Sequence, residues 1–321
     1  MDPIASSLQI VAEGLRFPEG PIALSDGRVL VVEIEGKALT AVLPDGRLEV
    51  IATLDGGPNG AALGPDGWVY VCNSGGWLYA DEKLPDGKII RRNTAQNPQR
   101  GWIERVRLAD GSVERLHEAH EGIALGSPND IVFDDLGGYY FTDHGKRSPT
   151  ALEYGSVYYA PPDGSSLIRC VGNMVTPNGL GLAADGGTLY VAETITRRVW
   201  AFDLVGPGTI APRPWPSSCG GRLIAGLPDN NLLDSLALDN KGRVCVASLF
   251  NGGVWAISPD GKERRHTPLP DLMTTNICFG GPDLRSAYVT LSSTGRLGRM
   301  QWDAPGQPLP FLNYQPGRRP G

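Results

Sequence analysis

TPNGLGLAADGGTLYV, Thr176 to Val191, reads as a β-hairpin with one polar side chain at its start. Pro177 and Asn178 lead into an apolar strand, Asp-Gly-Gly at 185–187 supplies the turn, and a second apolar strand follows. The same pattern recurs as FPEGPIALSDGRVLVV from Phe17, GPNGAALGPDGWVYV from Gly57, SPNDIVFDDLGGYYF from Ser127, LLDSLALDNKGRVCV from Leu232 and TTNICFGGPDLRSAYV from Thr274. Aligned, the six copies place Glu19, Asn59, Asn129, Asn178, Asp234 and Asn276 at one shared position. In five copies a glycine follows in the turn, Gly27, Gly67, Gly137, Gly186 or Gly242, where positive φ is needed; the last copy has Leu284 there.

A third apolar stretch follows each hairpin: ALTAV (38–42), WIERV (102–106), SVYYA (156–160), RVWAF (198–202), GVWAI (253–257) and LGRMQW (297–302). Most end in a turn such as LPDG, LADG, PPDG or SPDG, and a fourth stretch such as LEVIATL from Leu48 comes next. Four strands per unit, repeated six times, specify an all-β six-bladed β-propeller, and no recurring G-H and W-D pair marks it as the WD40 kind. The opening LQIVAEGLRFPEG aligns residue for residue with LEVIATLDGGPNG, so the chain starts on a fourth strand with no first three before it. That strand is expected to complete the last blade and close the ring, leaving no long unpaired edge. One domain over 1–321 is expected, with a proline-rich extended tail from about 303 to 321.

Two excursions interrupt the pattern, 74–101 in blade 2 and 144–155 in blade 3. Each falls between a second and a third strand, so both overhang the face on which the six polar positions lie. A lid over that face is the functional reading; a solvated surface loop is the plain one.

Composition removes several classes of function. The net charge of -6 and scattered basic residues exclude nucleic-acid binding. No apolar run is long enough for a membrane span, and the start lacks the charge and apolar core of a signal peptide, so a cytoplasmic location is expected. The cysteines are odd in number and lack C-x-x-C spacing, against both a disulfide framework and a thiolate zinc site; Cys72 and Cys245 read as buried apolar residues.

In a propeller the first strand of every blade lines the central channel, so the six aligned residues form a ring at one of its mouths. Turn chemistry accounts for Asn59 and Asn178 but not for Glu19 or Asp234. Two carboxylates crowded together repel unless a cation sits between them. The oxygen-only donor set suits calcium first, with magnesium, manganese or zinc as alternatives.

The PEG at 18–20, SPNDIVFD at 127–134, TPNGLGL at 176–182 and DSLALD at 234–239 resemble the SMP-30/gluconolactonase/regucalcin family, and the likeness runs from about Phe17 to Leu297. The resemblance implies a six-bladed propeller with one divalent cation in its channel, and lactone hydrolysis as the activity. It assigns Glu19, Asn178 and Asp234 to the metal and Asn129 to the substrate. Sugar-lactonase relatives carry an arginine two residues before that asparagine, where this chain has Ser127. Together with Trp77 and Tyr79 in the first excursion, that departure points to a less polar lactone.

A divalent ion can polarise an ester carbonyl and stabilise the oxyanion formed on attack by water. Glu19 and Asp234 are the catalytic candidates, with Asp234 first as base and His144, on the same rim, as the alternative. Asn59, Asn129, Asn276 and His144 are candidate substrate contacts. His117, His120 and His266 read as surface residues, and no G-x-S-x-G indicates a covalent route. The competing readings are phosphotriester hydrolysis of the diisopropylfluorophosphatase kind, and a calcium-binding or interaction propeller without activity.

Overall fold

Every hairpin copy forms the inner half of an antiparallel blade in a computed structural model of the chain, which describes residues 3–316; five blades are four-stranded, and blade 4 adds the short strand Thr209–Ile210. Blade 1 runs outward through Pro18–Ala23, Val29–Glu33, Ala38–Val42 and Leu48–Thr53. Blade 2 uses Pro58–Leu63, Trp68–Asn73, Trp102–Arg107 and Val113–His117. Blade 3 uses Pro128–Phe133, Tyr139–Asp143, Gly155–Ala160 and Ile168–Met174, and blade 4 Pro177–Leu182, Thr188–Glu193, Arg198–Gly206 and Arg222–Gly226. Blade 5 consists of Leu232–Leu238, Val244–Leu249, Val254–Ile257 and Arg264–Thr267. Blade 6 has Thr274–Gly280, Ser286–Leu291 and Arg296–Gln301, and its outermost strand is Gln9–Glu13 from the start of the chain. The expected closure is therefore present, with Gln9 opposite Arg299 and Glu13 opposite Arg296.

Burial follows position in the blade. Second strands such as Val29–Glu33 and Val244–Leu249 are buried along their whole length, because blades cover both of their faces; the outer Leu48–Thr53 is mostly exposed. The apolar core lies between blades. Val132, Tyr140 and Val157 of blade 3, for example, pack with Leu180, Val191 and Trp200 of blade 4. Cys72 and Cys245 are buried free thiols.

The turn glycines take φ of +90°, +77°, +90°, +69° and +71° at Gly27, Gly67, Gly137, Gly186 and Gly242. Leu284 holds the same left-handed geometry at +54°, which costs an L-residue about 1 kcal/mol. Blade 6 keeps the turn shape without the residue that makes it easy.

From Asp303 to Pro316 the chain crosses the channel end opposite the ring. Gln307 donates through its backbone to Leu238 O (2.9 Å) and through its side chain to Leu182 O (2.8 Å). Phe311 meets Phe133 edge-on at 6.0 Å. The remainder of the expected tail, 317–321, lies outside the described residues, as do Met1 and Asp2. Among the described residues no helix is long and apolar enough to cross a membrane.

Candidate functional site

The innermost strands of blades 1 to 5 break register at or just after the aligned polar residue, and that of blade 6 breaks it just before Asn276. A bulge of this kind re-aims a side chain that regular pleating would turn into the blade. Glycine follows the ring residue in three blades, and each is needed for close approach. A Cβ on Gly60 would lie 2.4 Å from Asn129 O, one on Gly179 2.6 Å from Leu236 N, and one on Gly20 2.8 Å from Ala61 N. The inner strands thus meet backbone to backbone, and the six side chains are brought to one channel mouth.

A second set of polar residues, missed in the sequence reading, fixes how the chain arrives there. Glu33, Asn73, Asp143 and Glu193 end the second strands of blades 1 to 4 and are buried. Their side-chain oxygens accept the backbone N–H of Arg16 (2.6 Å), Gly57 (2.9 Å), Ser127 (2.6 Å) and Val175 (2.6 Å), just ahead of each ring residue. The signal was an apolar strand ending in an acid or amide.

Glu19, Asn59, Asn129, Asn178, Asp234 and Asn276 are all buried. Burial first, and then the charge of Asp234, hold the Glu19 carboxyl well above the usual range. Asn276 Nδ2 and Gly20 N–H each donate to Glu19 Oε2 at 2.7 Å and oppose that rise. Asp234 is also raised, chiefly by burial, with the charge of Asp130 adding to it. Asp130 was not singled out in the sequence. It follows Asn129, where the equivalent residue of three other blades is glycine, and burial pushes it up to about 7 against hydrogen bonding by Ile131 N–H at 3.0 Å. The mouth therefore holds three mutually repelling carboxyl groups.

Among the described residues no three His, Cys, Asp or Glu side chains gather closely enough to hold a metal by themselves. Amide oxygen would have to complete the set, and two such oxygens stand ready. Asn129 Oδ1 and Asn178 Oδ1 are buried without a donor, and Asn178 Nδ2 donates to Thr194 Oγ1 at 3.0 Å, while the same amide's interaction with Asp234 opposes the rise of that carboxyl. Carboxylates that repel beside amide oxygens with no donor make a donor set that fits a hard divalent cation.

The other candidates separate. Asn276 has both ends of its amide occupied, by Glu19 and by Ile277 N–H (2.7 Å), so its observed contact is with the carboxylate. Asn59 joins the buried ring. His144 is buried with Nδ1 unpartnered, and burial, then the charges of Arg147 and Lys146, push its imidazole down to about 3. It is neutral at physiological pH, a hydrogen-bond acceptor and a weak base. His117, His120 and His266, expected on the surface, are half-buried on outer strands or their connections, and His266 stacks on Trp255 at 4.8 Å.

The excursion at 74–101 is a two-stranded hairpin, Trp77–Lys83 paired with Ile89–Gln96. It reaches from blade 2 across the mouth. Trp77 and Tyr79 pack on Phe17 and Ile34 of blade 1, Leu249 of blade 5 and Met273 ahead of blade 6, and the returning strand meets Ser292–Thr294. The 144–155 excursion holds its base: Lys146 Nζ donates to Ser74 O and Asn97 O (3.0 Å each), Gln96 Oε1 accepts Arg147 N–H (2.8 Å), and Arg100 forms a double ion pair with Glu153. A cavity of about 270 Å³ lies beside the hairpin, lined by Glu35, Arg91, Trp77 and Tyr79 but by no ring residue. The hairpin packs beside the starts of the inner strands of blades 1, 5 and 6, and no ring residue lines the cavity next to it.

A sequence model of the SMP-30/Gluconolactonase/LRE-like region matches residues 17–293. A gluconolactonase from Zymomonas mobilis is 23% identical over 86% of this chain and 77% of its own. Lactonase drp35 of Staphylococcus saprophyticus is 29% identical over 81% of this chain and 74% of its own. Among solved structures, a gluconolactonase of Xanthomonas campestris superposes with a TM-score of 0.71 at 24% identity, covering 92% of this chain and 89% of that one.

Proposed function

The chain belongs to the SMP-30/gluconolactonase/LRE-like family, and from that premise we propose that it hydrolyses a lactone at the channel ring with the help of one divalent cation. The observation that carries the proposal is the pair of buried, donorless amide oxygens of Asn129 and Asn178 beside carboxyl groups that repel one another. Glu19, Asn178 and Asp234 would hold the ion, calcium before magnesium, manganese or zinc. Such an ion supplies polarisation of the ester carbonyl and acidification of water.

The chain's own residues do the rest. Asn276 orients Glu19 by donating to Oε2, and Thr194 orients Asn178 by accepting from Nδ2. Asn129 and Asn59 line the mouth for the substrate, and His144 offers it a neutral acceptor. Asp234 is the first base for the attacking water's proton. Asp130, a further buried carboxyl whose charge reaches both Glu19 and Asp234, competes for that role. The hairpin keeps bulk water from the ring, and its aromatic side chains favour a lactone less polar than a sugar acid's.

The test is elemental analysis joined to a lactone panel followed by proton release. Close to one tightly held divalent ion per chain and turnover of at least one lactone are expected. Asp234→Asn should lose both, whereas Asp130→Asn that keeps the ion and loses turnover would assign the base to Asp130. Cleavage of phosphotriesters with no lactone turned over would replace the proposal.

A further inference from the structure

Tyrosines at protein surfaces usually bury the ring and leave the hydroxyl in water. Tyr79 does the reverse. Its side chain is only partly buried, yet its hydroxyl oxygen is buried and has no hydrogen-bond partner among the described residues. The phenol therefore points inward, beneath the hairpin.

Its surroundings fix where it points. The Tyr79 ring meets Phe17 at 4.9 Å, and Phe17 stands two residues before Glu19 on the same chain segment. Ile34, Leu249 and Met273 complete an apolar collar, and the Arg91 guanidinium lies over the Tyr79 ring, 5.8 Å from its centroid, itself paired with Glu35. Burial first, then the charges of Glu35 and Glu19, hold the phenol well above its ordinary range, so it remains a donor at any physiological pH. An unmade hydrogen bond at a buried hydroxyl is destabilising, a cost that phenylalanine would avoid in the same packing.

We propose that Tyr79 is a substrate-contacting residue: on the closed lid its hydroxyl donates a hydrogen bond to the lactone oxygen on which negative charge gathers as the ring opens. The proposal rests on the lactone-hydrolase reading of the ring. It gives the hairpin a chemical part besides shielding, because the donor arrives only when the lid is down.

Tyr79→Phe tests it on the whole, cation-loaded protein. With the best lactone of the panel, kcat should fall about 10- to 100-fold while KM stays within about 3-fold, since the bond strengthens toward the transition state. Calcium affinity, measured by competition with a chromophoric chelator, and the melting temperature should hold or rise, because an unpaired buried hydroxyl has been removed. Unchanged kcat in an active protein would overturn the role of Tyr79 and leave the ring reading intact. A fall in melting temperature or calcium affinity that accounts for the lost activity would make the hydroxyl structural and also overturn it. A wild-type protein that binds calcium but turns over no lactone would defeat the ring reading, and this proposal with it.

Discussion

Without the proposed cation, the protein's stability should depend on pH in an unusual direction. Asp130 is buried, and its carboxyl stands near 7 in the folded chain against 3.8 unfolded. Between those values the folded state holds a proton that the unfolded state has released, so stability is fully present below about pH 4 and is lost as pH rises through about 7. For this one carboxyl the loss is on the order of 4 kcal/mol, with Glu19 and Asp234 acting in the same direction. At roughly 2 °C per kcal/mol for a large chain, the metal-free melting temperature should drop by about 8 °C from Asp130 alone. Calcium should erase most of the drop, because a cation favours the charged carboxylates that burial disfavours. Differential scanning calorimetry at pH 5, 6, 7 and 8, with chelator and with calcium, checks this, and Asp130→Asn supplies the internal control by flattening the metal-free slope. Equal slopes in the wild type and in Asp130→Asn would refute the reasoning.

Other perturbations test the scaffold. Gly60→Ala places a Cβ 2.4 Å from Asn129 O and should cost about 1–3 kcal/mol and most of the activity, whereas Gly67→Ala, in open space at φ +77°, should cost about 1 kcal/mol and spare activity; calorimetry and the lactone assay compare them. Lys146→Met removes two hydrogen bonds to the base of the hairpin and should speed amide exchange over residues 77–96 by about 10-fold with little change in melting temperature, read by mass spectrometry. In the wild type the same exchange should quicken above about pH 8, where Lys146, pushed down to about 8 chiefly by burial, gives up its charge. Phe311→Ala should cost about 2 kcal/mol in denaturant melts by stripping the far channel end of its aromatic contact with Phe133.

Much of the architecture was legible because a propeller repeats itself. Residues 38–42 were marked as a strand by composition, and Ala38–Val42 is one; the blade 6 closure followed from the likeness of the Leu8 and Leu48 stretches. Asp130 was not legible, because only the bulge after Pro128 carries its charge to Glu19 and Asp234, and a bulge leaves no trace in the alternation of residues. The hairpin could have been found. LPDG at 84–87 is the same turn that closes other strands of the chain, here between two mixed polar stretches whose pairing is supported by Arg91 with Asp81 and Arg92 with Glu82 rather than by apolar alternation. The docking of 303–316 was hidden because its contacts are isolated bridges and single side chains such as Gln307.

Pairing of Gln9–Glu13 with Arg296–Gln301 bears on how the molecule is made. Arg299 donates to Gln9 across 290 positions of chain, so the Gln9–Glu13 strand must wait for a partner that is made some 290 residues later. At about 5–20 residues per second, that wait is roughly 15–60 s, with a bare strand edge open to wrong partners. The ring therefore closes only once Arg296–Gln301 has been made, and its most vulnerable interval is the one before these two strands meet.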